Sequence, residues 1–226
     1  MNNIISFKNY NRRKGDICMP DIEKNRKIQI ENIVEKLISN LDFSETPSVD
    51  IVSLVKRDNF LVQTAELPMD TTGYLIVNDE EYVDEDKKFH RLIMINKKFK
   101  NPDNEENVVL KKSRFITAHE YGHFILHRKP NEKLYAHRDS DKRDTPMEVE
   151  ADYFARSILM PAKSFMRTND LIDEILNKTM AKNDNIQKDV CNKFKIEFLS
   201  KYFKVTKAKV LKRMEDIDVL TSMISQ

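Results

Sequence analysis

Apolar positions along the chain follow two rhythms. Between Ile22 and Leu41 they recur at Ile30, Ile33, Val34, Leu37 and Leu41, spacings of three and four that predict an amphipathic helix. Pro47-Ser48 breaks the pattern, with Ser48 as the expected N-cap of a second helix whose inward positions are Ile51, Val52, Leu54 and Val55. The rhythm then shortens. Phe60–Gln63, Tyr74–Val77 and Arg91–Asn96 are brief apolar runs divided by the turn-rich Glu66–Gly73 and the acidic Asn78–Lys88. They predict a small antiparallel sheet of about three strands. Helical spacing returns after the charged loop Asn96–Asn107, with Ser113 placed to cap a helix that runs to about His127 and stops before Pro130. A polar stretch, Lys129–Pro146, leads to helices over Met147–Met160 (ended by Pro161), over Leu171–Met180, from an Asp184 cap through Phe203, and from Lys207 to about Ile217. The pattern is α+β, mainly helical with one small sheet. The expected organisation is a flexible arm over residues 1–21, a main domain over 22–168, and a C-terminal helical segment over 169–226 packed on it.

Composition narrows the function classes. A chain of 226 residues suits one large domain. With 39 basic and 37 acidic residues the net charge is +2, which gives no electrostatic reason for nucleic acid or an anionic membrane as the main partner. No apolar run approaches the ~20 residues of a membrane span, and Met1–Pro20 lacks a signal-peptide core. Cys18 and Cys191 are far apart and fit no metal or redox motif. Reduced thiols in a cytoplasmic protein are the expectation.

The chemistry sits in Ser113–Arg128, which holds His119-Glu120-Tyr121-Gly122-His123, an H-E-x-x-H sequence. Residues four apart share a helix face, so His119 and His123 offer two imidazoles to one ion. Glu120, about 100° round the helix, is the candidate general base toward the water such an ion activates. Gly122 lies mid-helix, where glycine costs ~1 kcal/mol against alanine. Its expected reason is the close approach of another backbone or of substrate, with Ala151 on a partner helix serving the same approach.

A catalytic zinc site takes three protein ligands and leaves one position open. Candidates for the third are His127, His137, Glu148, Glu150 and Asp152. His127 continues the face of His123 but stands about 12 Å along the axis from His119. On a helical wheel of Met147–Met160, Glu148, Asp152 and Arg156 fall on one arc and read as a solvated charge ladder. Glu150 falls among apolar neighbours, where a carboxylate is costly unless paired or metal-bound. Glu150 is therefore the expected third ligand, with Glu148 as the alternative.

Thr117–His127 (T-A-H-E-Y-G-H-F-I-L-H) followed by Glu148–Pro161 (E-V-E-A-D-Y-F-A-R-S-I-L-M-P) resembles the ImmA/IrrE metallopeptidase family. Asp152 stands where that family more often has Asn, and Phe198–Met214 is similar to its closing helical segment. The resemblance implies a gluzincin-like minimal zinc peptidase holding one Zn2+ on His119, His123 and Glu150, with Glu120 as base. It also implies a substrate: a helix-turn-helix transcriptional repressor, cut to derepress phage or mobile-element genes.

A second reading is a regulatory metal-binding protein that acts on a repressor or on DNA without proteolysis. Its support is the basic end of the chain, with Lys201, Lys204, Lys207, Lys209, Lys212 and Arg213. Against it, Phe203, Val205, Val210, Leu211 and Met214 of the same stretch read as core.

Overall fold

The computed structural model describes residues 22–41, 48–68, 71–84, 87–97, 106–129, 134–137, 145–181 and 188–224. The expected arm over 1–21, with Cys18, and the expected Asp184 cap lie outside these.

Helix α1 (Lys24–Ile38) buries Ile30, Val34 and Ile38 on one stripe. Helix α2 (Ile51–Arg57) is capped by Asp50, whose side chain accepts from the Ser53 N–H at 3.2 Å, and not by Ser48. Asn59, with a left-handed φ of 61°, turns the chain out of α2, a backbone region that asparagine tolerates. Strands β1 (Phe60–Ala65), β2 (Gly73–Asp84) and β3 (Lys87–Asn96) follow.

The sheet differs from expectation in two ways. It has four strands among the described residues, in the order β1-β3-β2-β4, because part of the polar stretch after the motif helix forms β4 (Leu134–His137). It is also mixed. β2 and β3 form an antiparallel hairpin that extends into the acidic link, with a register shift between Val77 and Tyr82. β1 does not pair with its sequence neighbour β2. It runs parallel to β3, Phe60 opposite Arg91 through Ala65 opposite Asn96. One face is apolar by simple alternation: Leu75, Val77, Ile93 and Ile95 are buried, as period-two geometry requires. The Asn96 side chain closes the crossover between β1 and β2, donating to the Leu67, Pro68 and Thr71 carbonyls at 3.2, 3.1 and 2.7 Å.

Helix α3 (Glu106–His127) begins seven residues before the expected Ser113 cap. Ser113 is inside the helix, where its carbonyl accepts from Thr117 Oγ1 at 3.0 Å. Helix α4 (Pro146–Leu159) starts on a Thr145 cap, with Pro146 in its first turn. Helix α5 (Ala162–Met180) starts directly after Pro161, earlier than expected, and runs unbroken across residue 168. Helices α6 (Lys188–Tyr202) and α7 (Lys207–Ile224) complete the chain. Cys191 in α6 is buried and free. Of the five residues expected in the core here, Phe203, Val205, Val210 and Met214 are buried and Leu211 is half-buried.

Helix α7 is tied to α1 and α4 by charge. Arg213 has no exposed surface. Its guanidinium donates to Glu31 at 2.6 and 3.0 Å, to Ser157 Oγ at 3.0 Å and to the Met160 carbonyl at 3.0 Å. Nearby, Arg156 meets Asp216 at 2.6 Å, so the residue read as solvated is buried and paired. Burial pushes the Glu31 carboxyl up. The Arg213 charge and the bonds from Arg213, Ser157 and Tyr153 outweigh this and hold it below its ordinary value of 4.5. A depressed carboxyl stabilises the fold above the unfolded-state value and loses that contribution as pH falls through the folded value. Acidification below about pH 4.5 is expected to lower the melting temperature. Glu31→Gln should cost about 3 kcal/mol at pH 7, the low end for a broken buried pair, and should flatten that acid limb in thermal melts.

Candidate metal centre

Helices α3 and α4 meet closely. A Cβ built on Gly122 would lie 2.9 Å from Phe154 Cδ1 and 3.3 Å from both Cα and O of Ala151. The glycine thus admits the backbone of α4, and Ala151 opposite keeps the approach close. This contact sets two pairs of residues face to face. His119 and His123 are one turn apart on α3, and Glu148 and Asp152 are one turn apart on α4.

Three donor atoms converge between the helices. His119 Nε2 and His123 Nε2 are 3.1 Å apart. Glu148 Oε2 is 3.1 Å from the first and Glu148 Oε1 is 2.9 Å from the second. The two histidines are buried and Glu148 keeps 12% of its side-chain surface. Among the described residues, His119, His123 and Glu148 form a group able to hold a metal ion, their ligand atoms all within 4.8 Å of one another.

The chemistry of the donors fits a cation. His119 Nδ1 lies 2.8 Å from Asp152 Oδ1. A carboxylate only accepts, so that nitrogen carries a proton, which leaves Nε2 as the atom a cation would take. Burial holds His123 below its ordinary value, against the Glu148 hydrogen bond that raises it. Burial would raise the Glu148 carboxyl, but hydrogen bonds and charge from His119 and His123 hold it at about 2. Its place in the first turn of α4 favours the ionised form as well. A neutral His123 and an ionised Glu148 are the protonation states that zinc requires of such ligands. The 3.1 Å between the two Nε2 atoms is close to the edge of about 3.3 Å expected of a tetrahedron with zinc–ligand bonds of about 2.0–2.1 Å.

The structure brings Glu148, and not Glu150, to the two histidines. Glu150 points to α1, where its Oε2 accepts from Arg26 Nε and Nη2 at 3.0 and 2.6 Å and lies 3.2 Å from His127 Nε2. Those partners remove the reason for expecting a metal beside it. His127 in turn lies 3.1 Å from His123, Nδ1 to Nδ1. Asp152 is bound to His119 and to Lys209, at 3.3 Å. The wheel misread this helix because α4 is buried nearly all round beyond its first turn. Its charged arc faces α3 and α7 instead of solvent. The missed signal was the i,i+4 pair Glu148/Asp152, which matches the i,i+4 pair His119/His123.

Glu120 is fully buried. A Cβ on Gly73, the first residue of β2, would lie 2.6 Å from Glu120 Oε1 and 2.5 Å from Ile116 Cγ2. The carboxylate therefore rests against the bare backbone of β2, whose next residue, Tyr74, pairs with His137 of β4. Other polar side chains of α3 and α4 are committed elsewhere. Tyr121 OH donates to Asp58 at 2.6 Å. Arg114 donates to the Val49 carbonyl at 2.8 Å. Tyr153 lies under Lys27, 5.9 Å from its ring centroid. The basic C-terminal residues mostly meet carboxylates: Lys201 and Lys207 with Glu197, Lys209 with Asp152, Lys212 with Glu215, and Arg213 with Glu31.

No helix among the described residues is long and apolar enough to cross a membrane. A search of curated proteins finds no match to the chain. A family model of M78 peptidases, described as the IrrE N-terminal-like domain, matches residues 69–215. That segment carries Gly73, both histidines, Glu120 and Glu148, and spans about two thirds of the chain; the chain belongs to this family of metallopeptidases.

Proposed function

We propose that the protein is a zinc endopeptidase of the cytoplasm that cuts a helix-turn-helix repressor and so releases silenced genes of a phage or mobile element. The observation that carries the reading is the convergence of His119, His123 and Glu148 with a buried glutamate, Glu120, beside the first histidine. His119, His123 and Glu148 are the proposed ligands. Zinc, when bound, supplies an activated water at neutral pH and polarises the scissile carbonyl.

Glu120 takes the proton of the attacking water and returns it to the leaving amine. Asp152 holds His119 in the Nδ1–H tautomer, which keeps Nε2 available. An extended substrate is proposed to add to β4, the edge strand next to β2, through backbone hydrogen bonds. Gly73 leaves room for the base. Gly73→Ala is expected to keep its zinc and lose about 10²-fold in kcat/KM, since a displacement of about 1 Å in a catalytic group costs that much. Unchanged cleavage by this variant would mean that Glu120 tolerates displacement.

The test is cleavage of a repressor encoded on the same genetic element. Zinc-loaded protein is expected to give two fragments by mass spectrometry, to lose this activity on chelation, and to regain it when zinc is returned. A repressor that is bound but left whole would favour the regulatory-binding reading.

A further inference from the structure

We propose that Arg26 of α1 is a positioning residue of the metal centre, acting on His123 through Glu150 and His127. The inference rests on the metal-centre reading above and adds to it a component from outside the family segment, which begins at residue 69.

With a metal on His123 Nε2, the chain of contacts has one consistent set of proton positions. Arg26 donates twice to Glu150 Oε2, at 3.0 and 2.6 Å. The same oxygen is 3.2 Å from His127 Nε2. A carboxylate bonded to a guanidinium is an acceptor only, so His127 carries its proton on Nε2. A neutral His127 then has a bare Nδ1, which accepts from His123 Nδ1 across 3.1 Å. With the Nδ1 proton held by His127, Nε2, 2.9 Å from Glu148 Oε1, is the atom of His123 that a metal would take in place of a proton. His123 thereby obtains through three residues what His119 obtains through one, Asp152. Each arm ends in a cation from a helix outside the α3–α4 pair: Lys209 of α7 at one end and Arg26 of α1 at the other.

Stability is not the main product of the Arg26–Glu150 pair. The two side chains are 31% and 21% exposed, and exposed ion pairs contribute little. Their effect is directional. Without Arg26, Glu150 has one partner fewer to hold it toward His127, and His127 is free to present either nitrogen to His123.

The experiment measures zinc affinity by competition with a chromophoric chelator in the full chain. Loss of an outer partner typically costs about 10–100-fold in metal affinity. His127→Ala is expected in that range, with Arg26→Gln about tenfold weaker than wild type. The double variant should be no weaker than His127→Ala alone, since Arg26 acts through His127. Glu35→Gln, which removes the pair between α1 and Lys163, should leave affinity unchanged. Proton NMR of the zinc-loaded protein should find the His123 Nδ1–H as a downfield, slowly exchanging hydrogen-bonded signal in wild type and should lose that signal in His127→Ala. An Arg26→Gln affinity within twofold of wild type overturns the proposal. So does a full additional loss in the double variant, or an equal loss in Glu35→Gln. A wild type that takes up no zinc would instead overturn the metal-centre reading itself.

Discussion

Glu148→Ala is expected to leave purification with well under one zinc per chain, while Glu150→Ala prepared in parallel keeps about one. Glu148 places one oxygen 3.1 Å from His119 Nε2 and the other 2.9 Å from His123 Nε2, and alanine leaves only two donors. A third protein ligand is the usual requirement of a catalytic zinc site, so the loss should exceed the ~10–100-fold typical of an outer partner. Glu150→Ala removes only such an outer partner and should weaken the site without emptying it at the micromolar zinc of a preparation. Elemental analysis decides the matter. Zinc retained in Glu148→Ala and lost in Glu150→Ala would restore the assignment expected from the helical wheel and refute the one drawn from the donor distances.

The second large effect is expected in Glu120→Gln, which should keep its zinc and lose cleavage by about 10²–10⁴-fold, the usual contribution of a positioned general base. The substitution conserves shape, so the packing against Gly73 and Ile116 survives and the ligands on the adjacent helix face are untouched. What changes is the ability to accept a proton. Measured kcat, with zinc content determined on the same sample, separates the two. Cleavage at the wild-type rate in a zinc-loaded Glu120→Gln would remove Glu120 from the mechanism.

Much of this was legible before any coordinates. H-E-x-x-H on a helix is a local code, so His119, His123 and Glu120 follow from spacing alone. The third donor is not local. Glu148 and Glu150 stand two residues apart, and choosing between them needs to know which face of α4 meets α3. The wheel assumed that charge marks solvent, and at Arg156, Asp152 and Glu148 it does not. Arg156 meets Asp216, Asp152 meets His119 and Glu148 meets both histidines. Buried charge with partners on other elements looks the same in sequence as a solvated ladder. The sheet order was hidden for a related reason: the parallel pairing of β1 with β3 depends on a crossover, and hydrophobic alternation carries no record of which strands are neighbours.

The place of Arg213 bears on how the domain can be cut for study. A fragment trimmed to residues 69–215 would keep every group that touches the proposed ion. It would also discard Glu31, the carboxylate against which a guanidinium with no exposed surface is neutralised. With α1 gone, Ile30 and Val34 would leave the core, and with β1 gone, β3 would lose a partner strand. Such a fragment would hold an uncompensated buried charge, and poor solubility or an empty metal site in it would report on the missing first third of the chain, not on the chemistry of the centre.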